Sequence, residues 1–154
     1  MRLPERPGPL PRVSATVPHQ QLTQNSPYHV QRRLLRRCEE LPGVEVAPTR
    51  VSVPGAVGLH LTEVTEAGKR GRSFEFAHAH PSYDGSWHVC LPVAEAASVV
   101  AAGRGAYHPL AGDGLPRGTV LLFAPRDGEE SAICFDVLKS AHAFAARTLG
   151  GSDV

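Results

Sequence analysis

Residues 74–92 read FEFAHAHPSYDGSWHVCLP, two alternating runs separated by a cluster of turn-forming residues, which is the pattern of a β-hairpin. In a strand, side chains two apart share a face. Regular alternation therefore groups His78 and His80 with Phe74 and Phe76, and puts Glu75, Ala77 and Ala79 on the other side. The same rule separates Trp87, Val89 and Leu91 from His88 and Cys90. Turn length then decides how the two strands meet. A turn through Ser82, Tyr83, Asp84 and Gly85 sets Pro81 opposite Ser86 and joins the aromatic sets on the core face, with His78 and His80 near Trp87. His88 then falls with Glu75, Cys90 and His60 over the small Ala77 and Ala79. A loop one residue longer or shorter reverses the second strand and brings His88 beside His80. Both registers are open at this level.

Outward from the hairpin, the expected fold is α+β: a single domain with a mostly antiparallel sheet, helices packed on one face, an N-terminal helix and a long C-terminal helix. Strands are expected at 44–53, 57–65, 72–80 and 86–91, with a polar turn, EAGKRG at 66–71, joining the middle pair. The first helix carries Val30, Leu34, Cys38 and Leu41 at helical spacing, with Ser26 as its cap and Pro27 in its first turn. Arg32, Arg33, Arg36 and Arg37 lie off that stripe and read as a solvated face. A short helix is expected at about 93–102. After it, GRGAYHPLAGDGLPRG at 103–118 is a long Gly/Pro loop of a length that usually has a function or is disordered. TVLLFA at 119–124 is apolar without alternation, as in a strand covered on both faces. The last helix opens at Asp127 with Glu130 completing a capping box, and Ile133, Val137, Ala141 and Phe144 form its buried stripe. Residues 1–25, rich in Pro, Gln, Ser and Thr, are expected to be a flexible tail or an arm that docks on a partner, leaving 26–150 as the single domain.

The totals exclude more than they select. The chain has 154 residues, with 16 Lys plus Arg against 15 Asp plus Glu, so no net charge draws it to nucleic acid. Cys38, Cys90 and Cys134 show no close spacing, which argues against a disulfide framework or a CxxC zinc site and suits reduced thiols in a cytoplasm. The N-terminus lacks the apolar run of a signal peptide, and the apolar runs are too short to span a bilayer. No Gly-x-Ser-x-Gly elbow, P-loop or zincin helix is present.

Two resemblances add to this reading. LPGVEV after the first helix, with the order of elements, resembles the YjbR-like double-wing fold. FEFAHAHPSYDGSWHVCLP, YHPLAG and LLFAPRD, in that order over about residues 41–146, resemble a bacterial and fungal family of unknown function labelled luciferase-like. The label implies oxidative chemistry, yet no dinucleotide-binding glycine pattern accompanies it.

Three readings of the histidines stand side by side. They can be structural, bonded to loop carbonyls and to acids such as Asp84. They can transfer protons near neutral pH, with His78, His80 and His88 as the catalytic groups. They can hold a transition metal, for which His78 and His80 on one strand form a bidentate pair that His88 or His108 completes. The leading expectation is a small cofactor-independent enzyme of isomerase, cyclase or hydrolase type acting on a small organic molecule. Glu75, Tyr83, Asp84, Trp87, His108 and Arg126 are its expected ligand-binding residues. A non-catalytic binding or interaction module and a metal-dependent enzyme are the alternatives. The expected partner is a small-molecule substrate, with a homodimer as an option and neither nucleic acid nor membrane.

Overall fold

The computed structural model of the chain describes residues 1–49, 51–64 and 70–150. Helix α1 (Tyr28–Glu39) leads into strands β1 (Val44–Pro48), β2 (Val57–Val64), β3 (Arg70–Ala79) and β4 (Trp87–Cys90). Then follow α2 (Val93–Ala101), β5 (Gly105–Tyr107), β6 (Thr119–Leu122) and the long α3 (Gly128–Gly150). The strands form one sheet in the order β1-β2-β3-β4-β6-β5, every neighbouring pair antiparallel. The α+β architecture is the expected one.

All three helices pack on one face. Leu34 and Cys38 of α1, Ala96 and Val99 of α2, and Cys134, Val137, Leu138, Ala141 and Ala145 of α3 share one apolar cluster with Leu59, Phe76, Ala77, Trp87, Val89, Val120 and Leu122 from the sheet. The α3 stripe is turned slightly from the expected one: Val137 and Ala141 are buried, while Ile133 and Phe144 sit half-buried at its margins. Arg32, Arg33, Arg36 and Arg37 are exposed, as the spacing indicates. Ser26 does not cap α1. The Pro27 carbonyl accepts the first helical bonds, from Val30 and Gln31, so the cap position falls on Pro27, which has no side-chain acceptor. At α3 the cap holds: Asp127 Oδ1 accepts from the Glu130 amide at 2.9 Å. The reciprocal bond lands one residue early, from the Arg126 amide to Glu130 Oε2 at 2.9 Å.

Three local departures matter for the site. First, β3 carries one extra residue, Phe76. Leu59 pairs with Ala77, but the next residue, His60, pairs with Glu75. This β-bulge turns Phe76 and Ala77 both toward the helices, where the Phe76 ring meets His142 of α3 at 5.5 Å between centroids. Glu75, His78 and His80 take the opposite face, so the strict alternation that grouped the histidines with the phenylalanines does not survive. Second, the hairpin adopts the longer loop, residues 81–85, with His78 opposite His88, Ala79 opposite Trp87, and the His80 amide donating to the Ser86 carbonyl. That arrangement brings His88 beside the other two. Third, the 103–118 segment is not wholly a loop, because Gly105–Tyr107 adds an edge strand to β6. Its glycine disguised it: a Cβ on Gly105 would lie 2.6 Å from the Leu121 carbonyl oxygen, and glycine inside a strand marks such close backbone approach.

β1 is shorter than expected because Thr49 leaves the ladder, its hydroxyl donating to Glu75 Oε1 at 2.8 Å and accepting from the Val51 amide. The turn expected at 66–71 falls mostly outside the described residues, and Arg70 and Gly71 belong to β3. Residues 1–25 depart from a flexible tail. They have almost no regular structure, yet Arg6, His19 and Gln21 are buried, and the segment runs as a strap along the domain. Polar side chains hold it, which composition alone does not reveal. Gln21 Oε1 accepts from the Ala124 amide at 2.9 Å, and the Gln21 amide donates to Asp84 Oδ2 at 3.2 Å. Arg104 donates to the carbonyls of Pro4 and Glu5.

Candidate functional site

The face of the sheet away from the helices gathers five imidazoles. His78 Nε2 lies 3.0 Å and His80 Nε2 lies 3.1 Å from His88 Nδ1. On its other side His88 Nε2 lies 3.2 Å from Nδ1 of His19, and the two rings stack with centroids 5.3 Å apart. His108 stands edge-on to both His88 and His19 at 4.8 and 5.2 Å. The strap supplies His19, β3 supplies His78, the end of that strand His80, β4 His88, and the segment after β5 His108.

Two carboxylates orient this group from behind. Glu75 Oε1 accepts from His78 Nδ1 at 2.8 Å and also from Thr49, while His60 Nε2 lies 3.4 Å from its other oxygen. The bulge makes the first contact possible, since Glu75 and His78 are three apart and share a face only because Phe76 is extra. Asp84 has no exposed surface. It accepts from His80 Nδ1 at 2.6 Å, from the Ser86 amide at 3.0 Å and from the Ser86 hydroxyl. Burial opposes ionisation of both acids, but the hydrogen bonds from His78 and Thr49 to Glu75, and from His80 and Ser86 to Asp84, outweigh it and lower both pKa values. Both are carboxylates at neutral pH.

The imidazoles nearer the cavity shift toward the uncharged form. Burial, then the neighbouring rings, pushes His88 far below the ordinary histidine range. Burial, followed by His108 and His80, brings His19 down to about 4, and burial followed by His78 and His80 lowers His108. The tautomer of His108 is set locally: its Nδ1 accepts from the Leu110 amide at 3.0 Å, so the neutral ring carries its proton on Nε2.

Two adjoining hollows open beside these rings. One, of about 500 Å³, is lined by Phe74, Glu75, Phe76, Ala77, His78, His88, Cys90, His108, Leu110, Leu115, Pro116 and Thr119 together with Val17, Val51 and Ser73. The other, of about 420 Å³, is lined by His19, His88 and His108 with Val17, Pro18 and residues 51–54. Both are mostly apolar with histidines at one end, the usual composition of a small-molecule site.

The remaining expected site residues are elsewhere. Trp87 faces the helices, 2% exposed, on the opposite side of β4 from His88. Tyr83 is exposed, its hydroxyl accepting from Gln20 Nε2 at 3.0 Å. Arg126 forks onto Glu130 and donates to the Pro7 carbonyl, so the structure does not bring it to the histidines. Burial pushes the thiols of Cys38 and Cys134 up to about 12 and also raises Cys90, so none of them is a thiolate nucleophile.

The segment that carries four of the five imidazoles and both acids is the one that known proteins share. Residues 73–141 match the Luciferase domain family. A luciferase of Armillaria ostoyae is 32% identical over 81 residues, which is 51% of this chain and 30% of that protein. One of Armillaria mellea is 30% identical over 83 residues, 52% of this chain and 31% of that protein. One of Armillaria gallica is 34% identical over 70 residues, 44% of this chain and 26% of that protein. The chain thus spans less than a third of the length of these relatives. No solved structure matches it significantly. The luciferase-like region runs from β3 into α3 and includes His78, His80, His88 and His108. His19 lies outside it, and sequence reasoning missed it, because nothing local in VPHQQ announces a ring held in place by contacts more than sixty residues away. Among the described residues no helix is long and apolar enough to cross a membrane.

Proposed function

We propose that the luciferase-like region makes this chain a small enzyme that binds a mostly apolar organic molecule in the paired hollows and moves protons on it with imidazole groups. One observation carries this: four histidine rings line two adjoining, mostly apolar hollows with His80 packed against one of them, and carboxylates hold two of the five, Glu75 at the edge of the larger hollow and Asp84 fully buried. His88 and His108 line both hollows. His108, the more open of the two, presents Nε2–H as a hydrogen-bond donor to a substrate oxygen and stabilises the negative charge that builds there as a proton leaves the substrate. His78 stands beside His88 at the larger hollow, held by Glu75, and His80 stands behind it, held by Asp84. A carboxylate–imidazole pair aimed at a reacting centre is the arrangement general acid–base catalysis uses. That the relatives are named as enzymes, luciferases, supports the reading.

The test is a thermal-shift screen of the full chain against small aromatic and phenolic compounds, with conversion of each hit followed by mass spectrometry. At least one hit is expected to be converted. His108→Ala, folded by circular dichroism, is expected to lose about 10²–10⁴-fold in turnover, the usual contribution of a positioned acid or base. Full turnover in folded His108→Ala and His88→Ala would sink the proposal.

A further inference from the structure

The contacts among His78, His80 and His88 do not balance as hydrogen bonds between neutral rings. A ring nitrogen facing a carboxylate carries the proton, so His78 Nδ1 donates to Glu75 and His80 Nδ1 donates to Asp84. In the neutral rings both Nε2 atoms are then bare lone pairs, and both point at His88 Nδ1, at 3.0 and 3.1 Å. His88 Nδ1 has at most one proton to offer two acceptors. One positive centre placed among the three nitrogens satisfies all of them at once. The rest of the chain of bonds then closes: His88 carries its proton on Nε2 and donates it to His19 Nδ1, 3.2 Å away.

We infer that His78 Nε2, His80 Nε2 and His88 Nδ1 are the protein ligands of a divalent first-row transition-metal ion, with Glu75 and Asp84 as the carboxylates that orient two of the three rings. The candidate ligand atoms of these residues lie within 4.8 Å of one another, and all three residues are buried. In a tetrahedral site with metal–nitrogen bonds of ~2.0–2.1 Å, ligand nitrogens sit about 3.3 Å apart, close to the 3.0 and 3.1 Å that separate His88 Nδ1 from the other two. A histidine ligand whose other nitrogen donates to a carboxylate is the common outer support of such sites, and here it occurs twice. Three imidazoles with no thiolate suit zinc, iron, copper or nickel rather than magnesium or calcium. The neighbouring group of His19, His88 and His108 also lies within reach of one ion, but it has no carboxylate behind it, and the Leu110 amide already holds His108 Nδ1. His78 and His88 line the larger hollow, so the remaining coordination position faces the substrate, where the ion supplies Lewis-acid chemistry. That role in catalysis rests on the function proposed above; occupancy of the site does not.

The experiment uses the full chain expressed without a histidine tag. Elemental analysis is expected to find about one equivalent of a single transition metal. Protein stripped with a chelator is expected to take up one cobalt(II) per chain with visible absorption of a low-coordinate nitrogen site, and to gain melting temperature as it does. His88→Ala abolishes this uptake, whereas His29→Ala, exposed on α1, leaves it unchanged. Because alanine at a buried histidine can cost folding, Glu75→Gln serves as a second variant: it stays folded and weakens cobalt binding by about 10–100-fold, the usual effect of removing an orienting carboxylate. Metal-free protein that binds cobalt no better than His88→Ala overturns the site, as does Glu75→Gln binding cobalt as tightly as the parent. If conversion of a compound survives in protein that takes up no metal, the ion is refuted and the enzymatic reading stands. Metal uptake without conversion of any compound does the reverse.

Discussion

Asp84 accepts hydrogen bonds from four groups, His80 Nδ1, the Ser86 amide and hydroxyl, and the Gln21 amide, with none of its surface exposed. One side chain therefore closes the turn, aims a ring and anchors the strap. Removing an acceptor from buried donors leaves them unpaired, which costs far more than the bonds contribute net. Asp84→Ala is expected to lose about 3–5 kcal/mol of stability, the range for breaking a buried charged pair, measured by urea unfolding. A loss below about 1 kcal/mol would show that the donors find other partners. At this scale, motif reading named His78, His80, His88, Glu75, Asp84 and His108, which the structure brings together, and also Tyr83 and Arg126, which lie elsewhere, and Trp87, which it set beside the histidines. The error came from register: PSYDG permits two turn lengths, and side-chain pattern cannot choose between them.

Among the elements, the strap is the piece whose behaviour composition most misrepresents. It has few large apolar side chains, and what holds it is polar and non-local, chiefly Gln21, 2% exposed, reaching the Ala124 amide. Gln21→Ala leaves that amide unpaired and is expected to lower stability by about 1–3 kcal/mol. Hydrogen exchange is the sharper readout. Protection should fall over residues 13–24 and persist in β4 and β6; an equal loss in all three would mean the strap is not a separate unit. The bulge in β3 was equally hidden. FEFAHAH alternates without a flaw, so no residue in it advertises the insertion, and only pairing with β2 displays it. The helices were legible because their stripes are long, and the helix-face core follows from them.

For the whole molecule, Glu130 ties the strap, the α2–β5 junction and α3 together. It is 5% exposed and faces Arg126, Arg6 and Arg104, the last two at 3.5 Å. Burial opposes its ionisation, but the hydrogen bonds from Arg126 and the charge of Arg6 prevail and its pKa is lowered. The sign follows from linkage: the unfolded chain binds the proton more readily. The stabilisation is therefore complete above the unfolded glutamate pKa of about 4.3 and is lost as pH falls through the lower folded value. Glu130→Gln should melt well below the parent protein at pH 7, and the gap should narrow in acid. A gap that stays constant from neutral pH to about pH 3 would contradict this.

The extra residue at Phe76 has one more consequence. Because it alone puts Glu75 and His78 on a common side, the chemistry of this sheet hangs on a frame that a single-codon deletion would invert. Such a deletion would turn the acid away from its ring while the rest of the core kept its apolar contacts, so a lineage could lose the Glu75–His78 pair and keep the scaffold in one step.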